Sequence, residues 1–173
     1  MLTIRTAEID DAPAIAKVHV ETWKSSYGGI IPQAYLDGMT IQNRTFVWMR
    51  LLQRAGTALT TLVSEDHDQR VIGFVAGGPL RHRDPRFQAE ISSLYVLAEH
   101  QRGSHGRRLF MAASNRLAQH GLQGLFVWVL ADNPARTFYE KLGGEVVSET
   151  VRDFAGKPLK ELGYGWKDIP TYG

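Results

Sequence analysis

The stretch Glu99–Phe110, "EHQRGSHGRRLF", decides how the rest of the sequence is interpreted. It follows the strand-like run "AEISSLYVL" (89–97) and leads into an apolar, helix-like run that continues to about His120. Gly103 and Gly106 allow a tight turn with closely approachable backbone. Such a turn between a strand and a helix presents unpaired backbone N–H groups at the positive end of the helix dipole. The stretch therefore predicts an anion-binding turn suited to phosphate, although an ordinary turn with solvated arginines would give the same pattern.

Two common phosphate-binding motifs do not account for this turn. A P-loop requires Gly-Lys-Ser/Thr after its glycines, and that run is absent from the sequence. The dinucleotide fingerprint Gly-x-Gly-x-x-Gly is absent as well. Arg102, Arg107 and Arg108 nevertheless place positive charge around the turn.

The composition limits the class of protein. A chain of 173 residues predicts one domain, spanning 1–173. The sequence contains no apolar run of about 20 residues, and "MLTIRTAEIDDAP" lacks the apolar centre of a signal peptide. We therefore expect a cytoplasmic protein without a membrane partner.

The cysteine count, the histidine spacing and the net charge provide evidence against disulfide-linked, metal-binding and nucleic-acid-binding classes of protein. The absence of cysteine rules out disulfides, thiolate nucleophiles and cysteine metal ligands. The histidines show no metal-ligand spacing, so we predict no metal. A formal net charge of +2 is too small to indicate a nucleic-acid partner.

The order of the predicted elements is typical of a mixed α/β fold. Leu2–Thr6 is predicted to form a strand, and Asp10 or Asp11 to cap a helix that has Pro13 in its first turn. Thr40 is predicted to cap a further helix that extends through Leu52. The other predicted strands are "TALTTLVSED" (57–66), "RVIGFVAGGPL" (70–80), "GLFVWVL" (124–130) and two runs around the turn "DFAGK" (153–157), with short helices at 32–36 and within 133–144.

Residues 101–106, Gln-Arg-Gly-Ser-His-Gly, resemble the Gln/Arg-x-x-Gly-x-Gly/Ala signature of the GNAT superfamily N-acetyltransferases. Three other runs resemble family segments in the expected order: "IRTAEIDDAPAIAKVHVETW" (4–23), "AEISSLYV" (89–96) and "ADNPARTFYEKLGG" (131–144). The run "ELGYGWKDI" (161–169) is similar to the last strand of a bacterial branch that acts on small molecules. The resemblance thus covers nearly the whole chain.

The resemblance implies a mixed, mostly antiparallel sheet of seven strands with four to five helices. The sheet would splay between its fourth and fifth strands, where acetyl-CoA enters. The family's turn wraps the pyrophosphate, and its fourth strand pairs with the pantetheine arm. The residues that the resemblance assigns to acetyl-CoA are Leu94, Tyr95, Val96, Gln101, Arg102, Gly103, Ser104, His105, Gly106, Arg107, Asn133 and Arg136.

One residue of the turn departs from the family pattern. Ser104 stands where the pattern has its first glycine. A serine fits this turn if its φ stays negative, and its N–H would still point at the phosphate. We therefore expect Ser104 to adopt a negative φ.

Acetyl transfer to an amine requires a base and an acid. An alkylamine has a pKa near 10, so a base must remove a proton at neutral pH, and the leaving thiolate must be protonated. Tyr139 matches the family's Phe-Tyr pair, whose hydroxyl lies near the CoA sulfur, so the resemblance implies that it is the acid. Packing on a helix face is the alternative for this tyrosine.

Glu90 is the candidate base. It lies 11 residues before Gln101, where some family members carry a catalytic glutamate. Period-two alternation predicts one face of the strand formed by Glu90, Ser92, Leu94 and Val96. A purely structural pair with Arg81 or Arg83 is the alternative for this glutamate, since a buried unpaired carboxylate is costly.

The segment between the first two helices lies where the family builds its acceptor wall. Trp23, Tyr27 and Tyr35 could enclose an amine, and Glu21 or Asp37 could attract its charge. Core packing is the alternative for Trp23. We therefore predict an acetyl-CoA-dependent enzyme that acetylates a primary amine of a small molecule by direct attack in a ternary complex. A protein or peptide N-acetyltransferase and a non-catalytic CoA-binding sensor are the alternatives, and homodimer formation is left open.

Overall fold

In a computed structural model, which describes residues 3–54 and 59–172, seven strands form one sheet in the order β1-β2-β3-β4-β5-β7-β6. All neighbouring pairs are antiparallel except β4 and β5, which are parallel. The strands are β1 Thr3–Thr6, β2 Thr60–Glu65, β3 Val71–Pro79, β4 Ala89–Val96, β5 Leu125–Leu130, β6 Glu145–Phe154 and β7 Lys157–Trp166. The helices are α1 Ala12–Tyr27, α2 Gln33–Asp37, α3 Ile41–Gln53, α4 His105–Gln119 and α5 Arg136–Lys141.

This architecture confirms the predicted class, the strand number and the number of helices. Thr40 caps α3 as predicted, since its hydroxyl accepts a hydrogen bond from the Asn43 N–H at 3.1 Å. Asp11 precedes α1, but its carboxylate binds the Glu8 N–H and the Arg5 guanidinium instead of capping that helix. Three residues of predicted strands, Leu2, Thr57 and Ala58, lie outside the described residues.

Helices cover both faces of the sheet. Leu109, Phe110, Ala113 and Leu117 of α4 are fully buried in the core on one face. On the other face, α1 and α3 bury a second core that includes Ile15, Trp48 and Phe74. No helix within residues 3–54 and 59–172 is long and apolar enough to cross a membrane.

The sheet opens between β4 and β5. Only Ala89 and Glu90 of β4 pair with β5, opposite Leu125 and Phe126. From Ile91 onward the edge of β4 that faces β5 has no strand partner among residues 3–54 and 59–172, so the two strands diverge into a cleft. The splay predicted between the fourth and fifth strands is present.

A β-bulge changes the side-chain pattern of β4. Ala76 of β3 pairs with Ser93 and the adjacent Gly77 pairs with Ile91, so Ser92 is the extra residue. The predicted period-two alternation therefore fails across Ser92, because Ile91 shares a face with Leu94 and Val96, whereas Leu94, Tyr95 and Val96 alternate as predicted. Ile91, Leu94 and Val96 pack towards the α4 core, whereas Tyr95 packs on the opposite face, where α1 lies.

Candidate active site

The turn before α4 reaches its shape in an unexpected way. Arg102 and Ser104 have φ of 63° and 64°, whereas Gly103 and Gly106 are not in the left-handed region. The expectation of a negative φ at Ser104 is therefore wrong: the serine adopts the conformation that the glycine of the family pattern would adopt freely. The left-handed conformations of Arg102 and Ser104 turn the chain sharply into α4.

The turn presents an uninterrupted series of free backbone donors. The N–H groups of residues 102–107 make no hydrogen bond to any acceptor within residues 3–54 and 59–172. Gln101 fixes the base of the turn, because its side-chain amide donates to the Val96 carbonyl at 2.9 Å. Gln101 to Ser104 are exposed, as is the side chain of Arg107. Donors at a helix N-terminus beside an arginine form a site for a di-anion such as a pyrophosphate.

We predict that Ser104→Gly leaves the affinity for CoA within a few-fold of the wild type. The N–H groups of the turn are unchanged, and glycine removes a strained side chain, so the free energy of unfolding should stay constant or rise by up to about 1 kcal/mol. Calorimetric titration with CoA and denaturant unfolding measure the two effects.

A matched control for this substitution is Ala155→Gly, because Ala155 has a φ of 51° in the turn between β6 and β7. It should affect stability in the same direction without changing CoA affinity. A loss of more than tenfold in the affinity of Ser104→Gly, about 1.4 kcal/mol, would show that the serine hydroxyl itself holds the anion.

Tyr139 and Asn133 lie on the β5 side of the cleft. Tyr139, on α5, is 8% exposed and its ring stacks on Tyr164 at a centroid distance of 6.1 Å. Burial raises the pKa of Tyr139 well above its usual range, and the nearby Tyr95 adds to the shift. Tyr139 therefore stays protonated at neutral pH and keeps a proton to donate.

Asn133 connects the two walls of the cleft. Its side-chain oxygen accepts from the Ala135 N–H at 2.9 Å, which fixes the turn before α5. Its amide nitrogen lies 3.5 Å from the Tyr27 hydroxyl, across the cleft on α1. Burial raises the pKa of the Tyr27 hydroxyl well above its usual range, and the nearby phenol groups of Tyr95 and Tyr139 add to the shift. Arg136, by contrast, is exposed and donates to the Ala131 carbonyl at 3.4 Å.

Tyr95 is held in place by a neutral histidine. The His19 ring stacks on Tyr95 at 5.3 Å, and His19 Nδ1 accepts a hydrogen bond from Trp48 Nε1 at 3.1 Å. Burial lowers the pKa of His19 to about 4, with Arg44 adding to the shift. His19 thus stays uncharged at neutral pH, and its stacking on Tyr95 positions the C-terminal end of β4.

A cavity of about 100 Å³ opens beside these residues on the α1 face of the sheet. Trp23 and Tyr27 of α1 line it together with the aromatic rings of Trp128 and Phe154. Two ion pairs, Arg81–Glu90 and Arg152–Glu161, complete the lining. Tyr35 is not part of the wall itself: it packs behind it, with its ring 6.2 Å from Trp23 and 5.5 Å from Phe154. Two of the three predicted acceptor-wall residues therefore line the cavity, and the third supports them.

Glu90 faces this cavity and is bound by arginine. It is 3% exposed, and the Arg81 guanidinium contacts its Oε1 at 2.6 Å and its Oε2 at 3.0 Å. The Arg81 backbone N–H is a third donor, at 3.3 Å from Oε2. Both roles weighed for Glu90 thus have a structural basis, since the carboxylate lines the cavity and is also paired. The Arg81 side chain is 69% exposed, so it can move into solvent.

Sequence reasoning missed a second buried carboxylate in the same cavity, Glu161 of β7. Glu161 is 6% exposed, and burial raises its pKa. Glu21 and Asp37, the acidic residues predicted to attract the amine, are exposed and do not line the cavity. A signal for Glu161 was present in "PLKELGYGW" (158–166), where it occupies an inward position between Leu159 and Gly163.

The described part of the chain contains one group of side chains that could bring three metal-ligand atoms together. Asp66, His67 and Asp68 form it, in the turn between β2 and β3. Asp66 accepts hydrogen bonds there from the N–H groups of Asp68 and Arg70, so it stabilises the turn. The group lies outside the set of residues that line the cavity.

Comparison with known proteins connects this geometry to a family. Residues 21–144 match the Acetyltransferase (GNAT) family. The chain belongs to that family. The matched residues include the turn before α4, the splayed strands β4 and β5, and α5, which are the parts of this GNAT chain around the cleft.

Relatives along the whole length agree with the assignment. The Bacillus subtilis protein named "Uncharacterized N-acetyltransferase YuaI" is 36% identical over 98% of this chain and 95% of its own length. The Mycobacterium tuberculosis "Probable N-acetyltransferase Rv2775" is 30% identical over 91% of this chain and 86% of its own length. This GNAT protein is therefore an N-acetyltransferase.

Solved structures show the same fold. The PaiA N-acetyltransferase of Thermoplasma acidophilum, crystallised with coenzyme A, superposes with a TM-score of 0.72 over 94% of this chain and 98% of that one, at 23% identity. A crystal structure described as a putative phosphinothricin N-acetyltransferase gives a TM-score of 0.76 over 98% and 99%, at 20% identity. The expected GNAT fold is confirmed.

Proposed function

We propose that this GNAT protein transfers the acetyl group of acetyl-CoA to a primary amine of a small molecule, by direct attack in a ternary complex. The observation that carries the proposal is the cleft between β4 and β5. It joins a turn of free N–H groups at one end to a cavity with carboxylate and aromatic walls at the other.

The turn fits the pyrophosphate of acetyl-CoA. The N–H groups of residues 102–107, which bind no backbone acceptor in the part of the chain that the structure describes, are available to phosphate oxygens, and Arg102 and Arg107 add positive charge. The unpaired edge of β4, with Leu94, Tyr95 and Val96, is available to the pantetheine arm, since Ala89 and Glu90 are the residues of β4 that pair with β5. When bound, acetyl-CoA would supply the thioester that carries the acetyl group.

We predict that Gly106→Val abolishes the rise in melting temperature that acetyl-CoA causes in the wild type. Ligand bound to the folded state raises stability by RT ln(1 + [L]/Kd), and a branched side chain at the start of α4 keeps the phosphate from the backbone donors. Thermal denaturation with and without acetyl-CoA, in the presence of a chelator, measures this effect.

The fold should tolerate the Gly106→Val variant. A Cβ at this position would lie 3.7 Å from the Phe138 ring, which is an ordinary contact distance. Ala118→Val, in the last turn of the same helix, is the control for a branched residue in α4 and should keep the full shift. Wild-type binding by Gly106→Val would show that the pyrophosphate lies elsewhere.

Two residues would move the protons. Tyr139 is protonated at neutral pH and sits on the α5 side of the cleft, so it would donate a proton to the leaving thiolate. Glu90 would accept a proton from the bound ammonium, directly or through a water, after Arg81 has moved from its carboxylate. Asn133, whose amide bridges towards Tyr27, would hold the polar end of the pantetheine arm.

The wall of the cavity supports a small amine as acceptor. Carboxylates and aromatic rings surround the space, and together they suit an ammonium group with a short carbon chain. Trp23 and Tyr27 close it on the α1 side.

A panel of polyamines, amino acids, aminoglycosides and peptides, scored by thiol release from acetyl-CoA, tests this choice of acceptor. Turnover confined to peptides would replace the small molecule by a protein acceptor. CoA binding without turnover on any amine would indicate a sensor.

A further inference from the structure

Glu161 is a carboxylate that the fold buries without satisfying. It lies on a central strand, paired through its backbone with Leu130 of β5 and Thr150 of β6. Its side chain is buried, and Oε2 has no hydrogen-bond partner within the described residues. Burying an ionised carboxylate without full pairing is costly, so packing alone does not favour glutamate here.

Arg152 is the cation that approaches Glu161. Its Nε lies 3.2 Å from Glu161 Oε2, but the angle does not make a hydrogen bond. The Arg152 side chain comes from the edge strand β6 and is 57% exposed. Its guanidinium also lies 5.9 Å above the Phe154 ring. The half-exposed guanidinium can move into solvent, and another cation that takes its place would again compensate the buried carboxylate.

Aromatic rings surround the same space. Trp23, Tyr27 and Phe154 line the cavity with Glu161, and their faces attract cations. Trp23 Nε1 is a buried donor without a partner in the described part of the chain. A carboxylate beside aromatic rings is a suitable environment for an alkylammonium ion, with its charge on the carboxylate and its carbon atoms on the rings.

We propose that Glu161 binds the ammonium group of the acceptor and that Arg152 occupies this position until the acceptor displaces it. The acceptor class is then an alkylamine whose first carbon atoms are apolar. This inference rests on the proposed function, because it assigns the binding of the amine to Glu161 and leaves the proton transfer to Glu90.

A structural ion pair is the competing explanation. Leu130, Phe154 and Leu159 pack in one apolar cluster around this region, so an apolar residue in place of Glu161 would satisfy the fold. Replacing partly buried ion pairs by apolar residues is often neutral or stabilising. A glutamate kept only for structure would therefore influence stability, whereas one that binds the amine would influence the KM for the amine.

The test is steady-state kinetics of Glu161→Gln, with acetyl-CoA and with the amine of the panel above that has the highest kcat/KM. The KM for that amine should rise about tenfold or more, as expected for the loss of a hydrogen bond to a charged group, while the KM for acetyl-CoA stays within twofold. Glu161→Asp, which keeps the charge, should give a KM for the amine between that of the wild type and that of Glu161→Gln. Arg152→Gln should lower the KM for the amine several-fold, because the internal competitor is removed.

Glu149→Gln is the matched control, since Glu149 is an exposed carboxylate of β6 paired with Lys160 at 2.8 Å. It should leave kcat and both KM values unchanged.

If the wild type acetylates amines and Glu161→Gln keeps the wild-type KM for the amine, the inference is wrong and the proposed function stands. A rise in KM for Arg152→Gln equal to that of Glu161→Gln would assign the pair to structure. Should Glu161→Gln fail to fold, the KM for the amine of Arg152→Gln and of Glu161→Asp decides: a lower value for the first and a higher value for the second support the inference, and wild-type values for both overturn it. If the wild type acetylates no amine of the panel, the proposed function fails and this inference fails with it.

Discussion

Glu90→Gln is expected to lower turnover by about 10²–10⁴-fold while acetyl-CoA binding survives, the range typical of a lost general base. The glutamine keeps the shape of the side chain and an oxygen for Arg81, but it cannot accept a proton. Raising the pH from 7 to 9 increases the neutral fraction of an alkylamine about a hundredfold, so it should partly restore the variant. The measurement is kcat across pH, with CoA affinity determined separately.

Arg81→Gln is the control for Glu90→Gln because it breaks the same ion pair and keeps the carboxylate. If Glu90 is the base, Arg81→Gln should lose far less turnover than Glu90→Gln. If the pair is structural, both variants should lose stability to a similar extent, with little change in kcat per folded molecule and no recovery at high pH. That second pattern would move the base to another residue.

Tyr139→Phe is expected to lower kcat by roughly 10²-fold or more and to change CoA affinity little. Only the proton delivered to the leaving thiolate is lost, and an interaction made in the transition state alone affects kcat and not ground-state binding. The phenylalanine ring keeps the contacts with Phe110 and Tyr164. Single-turnover kinetics with saturating acetyl-CoA would separate the chemical step from product release.

Tyr164→Phe separates packing from proton transfer. Tyr164 stacks on Tyr139, but its hydroxyl donates to Glu140 at 2.7 Å, away from the cavity-lining residues. Loss of this hydroxyl should reduce the free energy of unfolding by about 1 kcal/mol and leave kcat unchanged. An unchanged kcat in Tyr139→Phe would assign the proton to water or to another group.

The order and type of the elements could be predicted from the sequence because local signals agreed with the tertiary structure. Thr40 as a helix cap and the apolar run 124–130 as a buried strand are examples. The faces of β4 could not be predicted, because a bulge at Ser92 depends on pairing with β3 and leaves no trace in the alternation. Leu94, Tyr95 and Val96 alternate as predicted. The bulge, however, puts Ile91 on the same face as Leu94, whereas alternation alone predicts Glu90 there.

The site was predicted in part for a similar reason. The turn, Tyr139 and Glu90 lie in contiguous runs that carry a recognisable pattern, so their positions followed from the sequence. Glu161 is brought to the cavity by the pairing of β7 with β5, opposite Leu130. The alternation within 158–166 indicates an inward position for Glu161, but it does not show which residues surround that position. The positive φ of Ser104 was missed because residue type alone favours a negative φ for serine.

The free N–H groups of residues 102–107 have a consequence for the evolution of this enzyme. A main-chain donor is retained when a side chain is replaced by one that leaves the backbone path and the approach to the donor open, so a serine can stand where the family pattern has glycine. The acceptor wall that we propose is built instead from side chains of separate elements, such as Trp23, Phe154 and Glu161. On this proposal, mutation of the wall would alter which amine is acetylated without changing the turn proposed to hold the acyl donor, so specificity would diverge while the underlying chemistry is inherited.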